Sequence, residues 1–278
     1  GGLDRHPRPV YANVTTRANR VIGNRVYGGT HGIAFFGAEE FACANNHCER
    51  QSHRNIIAGP TCRHGTISGN SCIDAESCGV HLALGCNDIT IQRNRVTSAR
   101  ASRRPDDDGA IQAYIHCTDI RIDRNEISGD FRYGIFVAYA ADISITDNMI
   151  DGRDFTSAAI AIATAFTETE LPGAIHSRPR PAYRVDLDTS DILLRGNTIL
   201  GSPAAIGLAQ HGDRRLQRIR IEGGRIGEGA THYIHAYEQL PGRLHGIEIL
   251  NVATPGERRF ALPRGRQHFN RIQGTPGL

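Results

Sequence analysis

The chain has 278 residues, a formal net charge of +3 and 6% aromatic residues, and all 32 of its basic residues are arginine. The lack of lysine excludes Schiff-base and other lysine-based catalysis. The small net charge argues against a nucleic-acid partner. No apolar run reaches the roughly 18 residues of a transmembrane helix, so no membrane partner is expected. Many glycine, asparagine and β-branched residues favour a turn-rich β protein.

A phrase of the form apolar-x-apolar-x-x-Asn-x-apolar recurs along the chain. Its period is near two dozen residues, with one interval of 49 residues that predicts either an extra degenerate turn or a long insertion. Such a period with three short apolar strands per unit indicates a parallel β-solenoid. Asparagine suits a repeated turn because its amide donates and accepts, and because it tolerates left-handed geometry. The repeat positions are Asn24, Asn46, Asn70, Asn94, Asn125, Asn148, Asn197, Gly224 and Asn251.

The phrases DITIQRNRV, DIRIDRNEI, DISITDNMI and DILLRGNTI are each followed by an apolar strand such as GVHLAL, AIQAYI or GIFVAY. Over residues 17–253 this pattern resembles the repeats of the pectin-lyase-like superfamily. The resemblance implies an all-β fold, a single-stranded right-handed parallel β-helix, with a substrate groove along the GVHLAL-type strands. We expect nine to eleven turns in one domain, 1–278. Loop insertions are expected near 97–109 and 164–190, and a degenerate C-terminal cap at 254–278.

Alternate residues of the GVHLAL-type strands are expected to face outward. Small and apolar residues dominate these positions, and the polar exceptions His81, Gln112 and Tyr114 cluster in adjacent turns. Because neighbouring turns lie about 4.8 Å apart, these three side chains could share one sugar. The two predicted outward columns are Ala34, Ile57, His81, Gln112, Phe136, Ala161, Gly207 and His235, and Phe36, Gly59, Ala83, Tyr114, Ala138, Ala163, Ala209 and Tyr237.

The loop TSARASRRPDDDG precedes the strand that carries Gln112 and is the longest within the regular repeats. We expect it to place arginine and aspartate side chains over His81 and Gln112. Histidine, tyrosine, arginine and carboxylate groups on an otherwise bland face indicate a functional patch. The alternative is an ordinary solvated turn. The predicted substrate-binding residues are Gln112, Arg103, Arg104, His53, Arg54, Phe136 and His116.

The residues in this patch suit β-elimination from a uronic-acid polymer. Arginine can neutralise the uronate carboxylate, and histidine or tyrosine can serve as base and acid. We expect the partner to be an acidic polysaccharide or oligosaccharide. The predicted catalytic residues are His81, Tyr114, Arg132, Tyr133, Asp107 and Asp108.

The three consecutive aspartates Asp106, Asp107 and Asp108 could bind Ca²⁺ through carboxylate oxygens. An acidic turn that pairs with Arg103 and Arg104 is an equal alternative, and no other cofactor is expected. The run DDDGAIQ also resembles the paired-aspartate element of the polygalacturonase family, which implies hydrolysis through Asp107 and Asp108.

The rest of the polygalacturonase pattern is missing from this sequence. Cys78 stands where that family has a further aspartate, and RYG replaces its Gly-His-Gly. Its arginine–lysine element cannot exist without lysine. We therefore rank a hydrolase second, beside a C5-epimerase that would use the lyase-like groups. A non-catalytic carbohydrate-binding or structural β-helix stays open as a third interpretation.

The seven cysteines fit the repeat better than a zinc site, because no C-x-x-C pair is present. Cys62, Cys86 and Cys117 are predicted to share one column, and Cys48 and Cys72 another. Stacked neighbours could form disulfides or remain buried thiols. We expect a secreted or periplasmic protein whose signal segment has been removed; the oligomeric state is left open.

Overall fold

The structure is a computed structural model and describes residues 16–99, 109–164, 188–255, 260–261 and 269–273. Every regular element within these ranges is a β-strand. None of the described residues forms a helix that is long and apolar enough to cross a membrane. In chain order the strands are β1 (Thr16–Arg17), β2 (Arg20–Ile22), β3 (Arg25–Tyr27), β4 (His31–Phe35), β5 (Ala38–Glu39), β6 (Ala42–Ala44), β7 (His47–Glu49), β8 (Arg54–Ala58), β9 (Arg63–Ser68), β10 (Ser71–Ile73), β11 (Cys78–Ala83), β12 (Asn87–Gln92), β13 (Arg95–Ser98), β14 (Gly109–Tyr114), β15 (Thr118–Asp123), β16 (Glu126–Gly129), β17 (Tyr133–Ala138), β18 (Ala141–Thr146), β19 (Met149–Asp151), β20 (Ala158–Ala163), β21 (Thr189–Arg195), β22 (Thr198–Leu200), β23 (Ala204–Gln210), β24 (Leu216–Glu222), β25 (Arg225–Ile226), β26 (His232–Glu238), β27 (Leu244–Leu250), β28 (Phe260–Ala261) and β29 (Phe269–Gln273).

The strands form three sheets, in which each strand pairs in parallel with its equivalent one turn away. Sheet one has nine strands in the order β4-β8-β11-β14-β17-β20-β23-β26-β28. Sheet two has twelve strands and follows β1-β5-β9-β12-β15-β18-β21-β24-β27-β29, with β2 and β6 beside its first strands. Sheet three has eight strands in the order β3-β7-β10-β13-β16-β19-β22-β25. The expected parallel β-helix is confirmed.

Eight turns are complete, because each contributes one strand to the eight-stranded sheet three. The expectation of nine to eleven turns was too high. The interval of 49 residues contains an insertion and no additional turn, since β18 pairs directly with β21. Asn148 also bonds directly to Asn197. Beyond the eighth turn, β28 and β29 extend sheets one and two.

The predicted asparagine ladder is present from Asn24 to Asn197. At each step the backbone N–H and the Nδ2 group of one asparagine donate to the Oδ1 atom of the next, at 2.9–3.1 Å. Asn125 Nδ2 also donates to the carbonyl oxygen of Ile91, so one amide joins three turns.

Along the ladder from Asn24 to Asn197, the left-handed residue of each turn is the one before the asparagine, whereas Asn251 at the last repeat position has a φ of 53° itself. Arg93 and Arg124 have φ of 52° and 51°, while Gly69 and Gly196 stand at the equivalent position with φ of 64° and 67°. Glycine serves there because it adopts positive φ at no steric cost. The asparagine side chain forms the hydrogen bonds between turns.

Isoleucine dominates the solenoid interior. The inward column of sheet one contains Ile56, Val80, Ile111, Ile135 and Ile160 in register, all fully buried. Burial of such a side chain stabilises a fold by about 1.5–3 kcal/mol. This column fixes which residues of each strand face outward.

All seven cysteines are buried thiols. Cys48, Cys72 and Val96 are neighbours in sheet three, as predicted. Desolvation raises the pKa of Cys43 to about 12, with a contribution from Cys48, and raises the pKa of Cys48 to about 11. Six of the thiols are small residues of the interior core, and Cys78 is the exception. Buried thiols are one of the two alternatives that the sequence left open.

Candidate functional site

The outward columns of sheet one have the predicted register. His81 pairs with Gln112, Gln112 with Phe136 and Phe136 with Ala161. The column continues through Gly207 and His235 to Ala261 of β28. In the second column Ala83, Tyr114, Ala138, Ala163, Ala209 and Tyr237 are successive partners.

A third outward column, which the sequence did not predict, lies at the start of these strands. Ala159 and Ile160 are consecutive yet both belong to the interior core, whereas Ala158 and Ala161 pack on the outer face. Strict alternation therefore fails at the first residues of each strand. In β11 a Cβ atom on Gly79 would collide with interior side chains. The third column contains His31, Arg54, Cys78, Gly109, Tyr133, Ala158, Ala204 and His232.

His81 is the centre of the first polar group on this face. Its Nδ1 atom lies 3.0 Å from Gln112 Oε1 and 3.6 Å from Cys78 Sγ. Its ring meets the Tyr114 ring edge to face, with centroids 4.9 Å apart at 84°. The three predicted side chains are therefore brought together, and Cys78 joins them. We call His81, Gln112, Tyr114 and Cys78 the N-terminal cluster.

The contact with Gln112 orients the His81 ring. The Oε1 atom of Gln112 accepts a hydrogen bond from the tautomer of His81 that carries its proton on Nδ1. The Nε2 atom is then the basic nitrogen of the neutral ring. A contact of this kind favours one tautomer, as an orienting group beside a general base does.

Arg132, Tyr133 and Phe136 continue this patch in the next turn. The guanidinium carbon of Arg132 lies 5.0 Å from the Tyr133 ring centroid. Tyr133 stacks on Phe136 with centroids 5.2 Å apart, and Phe136 is the strand neighbour of Gln112. A cation over an aromatic face is an attractive contact that orients the guanidinium.

The remaining predicted residues lie at different places. His53 and Arg54 are half-buried at the start of β8, where the rings of His53 and His31 lie 5.0 Å apart. His116 is exposed in the turn after β14, with φ of 61°, and thus lies off the face. The other predicted residues fall outside the described ranges: Arg103, Arg104, Asp106, Asp107 and Asp108.

Solvent access differs from the prediction of an open groove. His81 and Gln112 are each only 1% exposed, and Tyr133, Phe136 and Arg132 are at most 4% exposed. Tyr133 and Phe136 belong to a second apolar cluster on the outer face, together with Ala158, Ala161 and Ala204. The side chains face outward as predicted, but they are buried.

A second group of rings lies on the same face near the C-terminal end. His232, His235 and Tyr237 are on β26, and His211 follows β23. The rings of His232 and His235 lie 5.2 Å apart, and those of His211 and Tyr237 lie 5.1 Å apart. All four residues are half-exposed. We call them the C-terminal cluster.

The sequence contained the signal for the C-terminal cluster. His235 and Tyr237 stand in the two predicted outward columns, but they were not grouped into a site. His232 was missed because it belongs to the unpredicted third column. Among the described residues, no three His, Cys, Asp or Glu side chains converge as metal ligands.

No protein-family model matches the chain, and no curated protein matches its sequence. Similar solved structures include the alginate lyase from Paenibacillus sp. str. FPU-7, with 12% identity, a TM-score of 0.54 and coverage of 87% of this chain and 76% of that one. Tailspike protein 3 of bacteriophage CBA120 has 11% identity and a TM-score of 0.54, with coverage of 95% and 44%. The tailspike protein gp49 of Pseudomonas phage LKA1 has 11% identity and a TM-score of 0.51, with coverage of 94% and 49%. The chain spans about half the length of these tailspikes. At such identities the similarity concerns the fold alone, and the fold of this chain is a right-handed parallel β-helix.

Proposed function

We propose that this protein is a polysaccharide lyase that cleaves a uronic-acid-containing polymer by β-elimination. One observation carries the proposal: an imidazole oriented by an amide lies against a phenol, as His81, Gln112 and Tyr114 do. The alginate lyase fold similarity is compatible with this activity but does not specify it.

In the proposed reaction the Nε2 atom of His81 removes the proton at C5 of the uronate. The C5–H bond breaks, its electron pair forms the C4=C5 double bond, and the C4–O bond to the leaving sugar breaks. The Tyr114 hydroxyl supplies a proton to the departing oxygen. Positioned acid and base groups of this kind contribute roughly 10²–10⁴-fold in rate.

Arg132 is the proposed partner of the substrate carboxylate. Removal of the C5 proton moves negative charge onto that carboxylate, and a guanidinium stabilises it through paired hydrogen bonds. The Tyr133 ring holds the guanidinium from below. Because the chain has no lysine, arginine or a metal ion must provide this positive charge.

Burial of His81 and Gln112 adds a requirement to the proposal. A polymer can reach His81 only when the face above it becomes accessible, since 1% of that residue is exposed. We therefore propose that an opening step precedes chemistry. Water exclusion in the closed state would strengthen the electrostatic contribution of Arg132.

The proposal is tested with the full chain on alginate, polygalacturonate and a neutral glucan. We expect ultraviolet absorbance from the new C4=C5 double bond on an acidic polymer and none on the glucan. The variants His81→Ala and Tyr114→Phe should abolish this absorbance. His245→Ala, a histidine of β27 on sheet two, is the matched control and should retain it.

Other outcomes separate the alternatives. New reducing ends without absorbance would contradict elimination and favour hydrolysis through Asp107 and Asp108. Inverted uronate stereochemistry without cleavage, read by NMR, would favour an epimerase. If a chelator removes activity and Ca²⁺ restores it, the proposal that Asp106, Asp107 and Asp108 bind calcium gains support. Asp107→Asn should then weaken that restoration.

A non-catalytic carbohydrate-binding β-helix is the second candidate function. The observation that favours it is the burial of His81 and Gln112, while the C-terminal cluster is half-exposed. In that case sugar binding would persist without cleavage of any polymer. His81→Ala would then leave binding unchanged, and the measurement is affinity electrophoresis in gels that contain each polysaccharide.

A further inference from the structure

The two polar clusters of sheet one repeat the same residue types in the same columns. His81 and His235 share one outward column, and Tyr114 and Tyr237 share the other. Four strand-to-strand steps separate Gln112 from His235, which corresponds to about 19 Å along the solenoid axis. A linear polymer that lies along this axis would therefore meet both clusters.

Small residues in the intervening turns separate the two groups of ring side chains. Between Phe136 and His235 the first column holds only Ala161 and Gly207. Large ring side chains return together on β26 and beside it, in two contacting pairs. Interior packing does not require these rings, because none of the four C-terminal cluster residues belongs to the interior core.

We propose that the C-terminal cluster is a second carbohydrate-binding site, which anchors an acidic oligosaccharide away from the N-terminal cluster. The ligand class rests on the proposed function. Ring faces of Tyr237 and His235 suit the C–H face of a sugar, and their polar atoms suit hydroxyl and carboxylate groups. The rings stand on or beside rigid strands, so little ordering is needed when a ligand binds.

Accessibility differs between the histidines of the two clusters. The four residues of the C-terminal cluster are half-buried, as Tyr114 is, whereas His81 and Gln112 are buried. A polymer can therefore contact the C-terminal cluster first, and the anchored chain raises the effective concentration of its other end near His81. His81 lies one strand beyond Gln112, so the anchor should act at His81 only on chains that span about 24 Å, which is five strand-to-strand steps.

The test is isothermal titration calorimetry with uronate oligosaccharides of graded length. The His81→Ala background prevents cleavage and leaves the C-terminal cluster intact. Adding His235→Ala and Tyr237→Ala should weaken the binding of spanning oligosaccharides at least tenfold. The matched control His245→Ala should change the affinity by less than twofold, and thermal unfolding would verify that every variant is folded.

Unchanged affinity in the folded His235→Ala/Tyr237→Ala variant would overturn the proposal, as would failure of every uronate oligosaccharide to bind the parent chain. A more conservative variant, Tyr237→Phe, keeps the ring and should retain part of the affinity. Cleavage and binding are measured separately, so the anchor can fail while the lyase proposal stands. The lyase proposal can likewise fail in the cleavage assay while the anchor binds.

Discussion

The N-terminal and C-terminal clusters place a histidine and a tyrosine in the same two columns but in different environments. His81 is 1% exposed and bonded to Gln112, while His235 and Tyr237 are half-exposed. A buried and oriented imidazole suits proton transfer, whereas accessible rings suit capture of a ligand. The difference teaches that the position of a residue in a solenoid column determines whether its side chain points inward or outward. Its solvent accessibility depends on what packs against that side chain.

Removal of the His81 imidazole should have the largest effect on activity. We expect His81→Ala to lower kcat on an acidic polymer about 1,000-fold, since general acid–base groups contribute roughly 10²–10⁴-fold. Measurement of double-bond absorbance against time gives kcat. The paired variant His235→Ala should raise KM and change kcat by less than threefold. An equal loss of kcat in both variants would contradict a division between chemistry and capture.

The asparagine ladder should contribute more to stability at Asn125, in the turns of the N-terminal cluster, than at Asn24, where the ladder begins. Asn125→Ala leaves the buried N–H of Asn94 without the Oδ1 acceptor that it uses now. We expect a loss of about 3 kcal/mol in the free energy of unfolding, as for orphaned buried donors. Urea denaturation provides the measurement.

The matched control for the ladder is Asn24→Ala. Asn24 is exposed in the first described turn, where its Nδ2 donates to Asn46 and to the Ile22 carbonyl. Its replacement should lower the free energy of unfolding by less than about 1 kcal/mol. Similar losses at positions 24 and 125 would show that the ladder does not act through buried partners.

Alkaline pH should destabilise the N-terminal turns selectively. All seven cysteines precede residue 118, and burial raises the pKa of Cys43 to about 12 and that of Cys48 to about 11. The folded state therefore favours the protonated thiols. Their contribution is complete below the unfolded pKa near 9 and is lost as pH rises toward the folded values.

The thiols of Cys43 and Cys48 should each lower the free energy of unfolding by about 1.4 kcal/mol per pH unit in this window. Urea denaturation at successive pH values measures the slope, and Cys43→Ala should reduce it. Hydrogen exchange should begin to rise in the turns around Cys43 and Cys48 before it rises around His235. A uniform rise along the chain would contradict the proposed regional difference.

The smallest expected effect concerns the Tyr237 hydroxyl. Tyr237→Phe retains the ring that contacts His211 and removes one hydrogen-bonding group. We expect about threefold weaker binding of a spanning uronate oligosaccharide, within the roughly 0.5–1.5 kcal/mol of one hydrogen bond. Calorimetry in the His81→Ala background measures this affinity. In the same background, the effect of Tyr114→Phe on affinity should depend on oligosaccharide length in a different way from the effect of Tyr237→Phe.

Sequence periodicity predicted the register of sheet one because repeated asparagines anchor each turn independently of loop length. Thus His81, Gln112 and Phe136 were assigned correctly to one column. The expected turn count exceeded the eight strands of sheet three because nine repeat positions were counted, whereas the ninth, Asn251, is followed only by an isolated bridge between Ala253 and Arg225. The third column was missed because two consecutive inward residues, such as Ala159 and Ile160, break the period of two.

Burial of the N-terminal cluster could not be predicted, because a column of outward side chains contains no information about what packs against them. The same limit applied to the left-handed residue of each turn. Arg93 and Arg124 are not residue types that favour positive φ, so composition gave no signal for them. Hydrogen bonding along the stack imposes that conformation.

The asparagine ladder also gives the solenoid a chemical direction. Every described step donates from the earlier turn to the later one, so the side-chain amide dipoles are aligned along the axis. At Gly224 this series ends, because a side chain there would lie 2.5 Å from the Asn197 carbonyl oxygen at a φ of 80°. The two ends of the stack are therefore not equivalent. A duplicated turn inserted before Asn197 could continue the asparagine hydrogen bonds. A turn added after Gly224 would have no asparagine side chain before it to donate to its own.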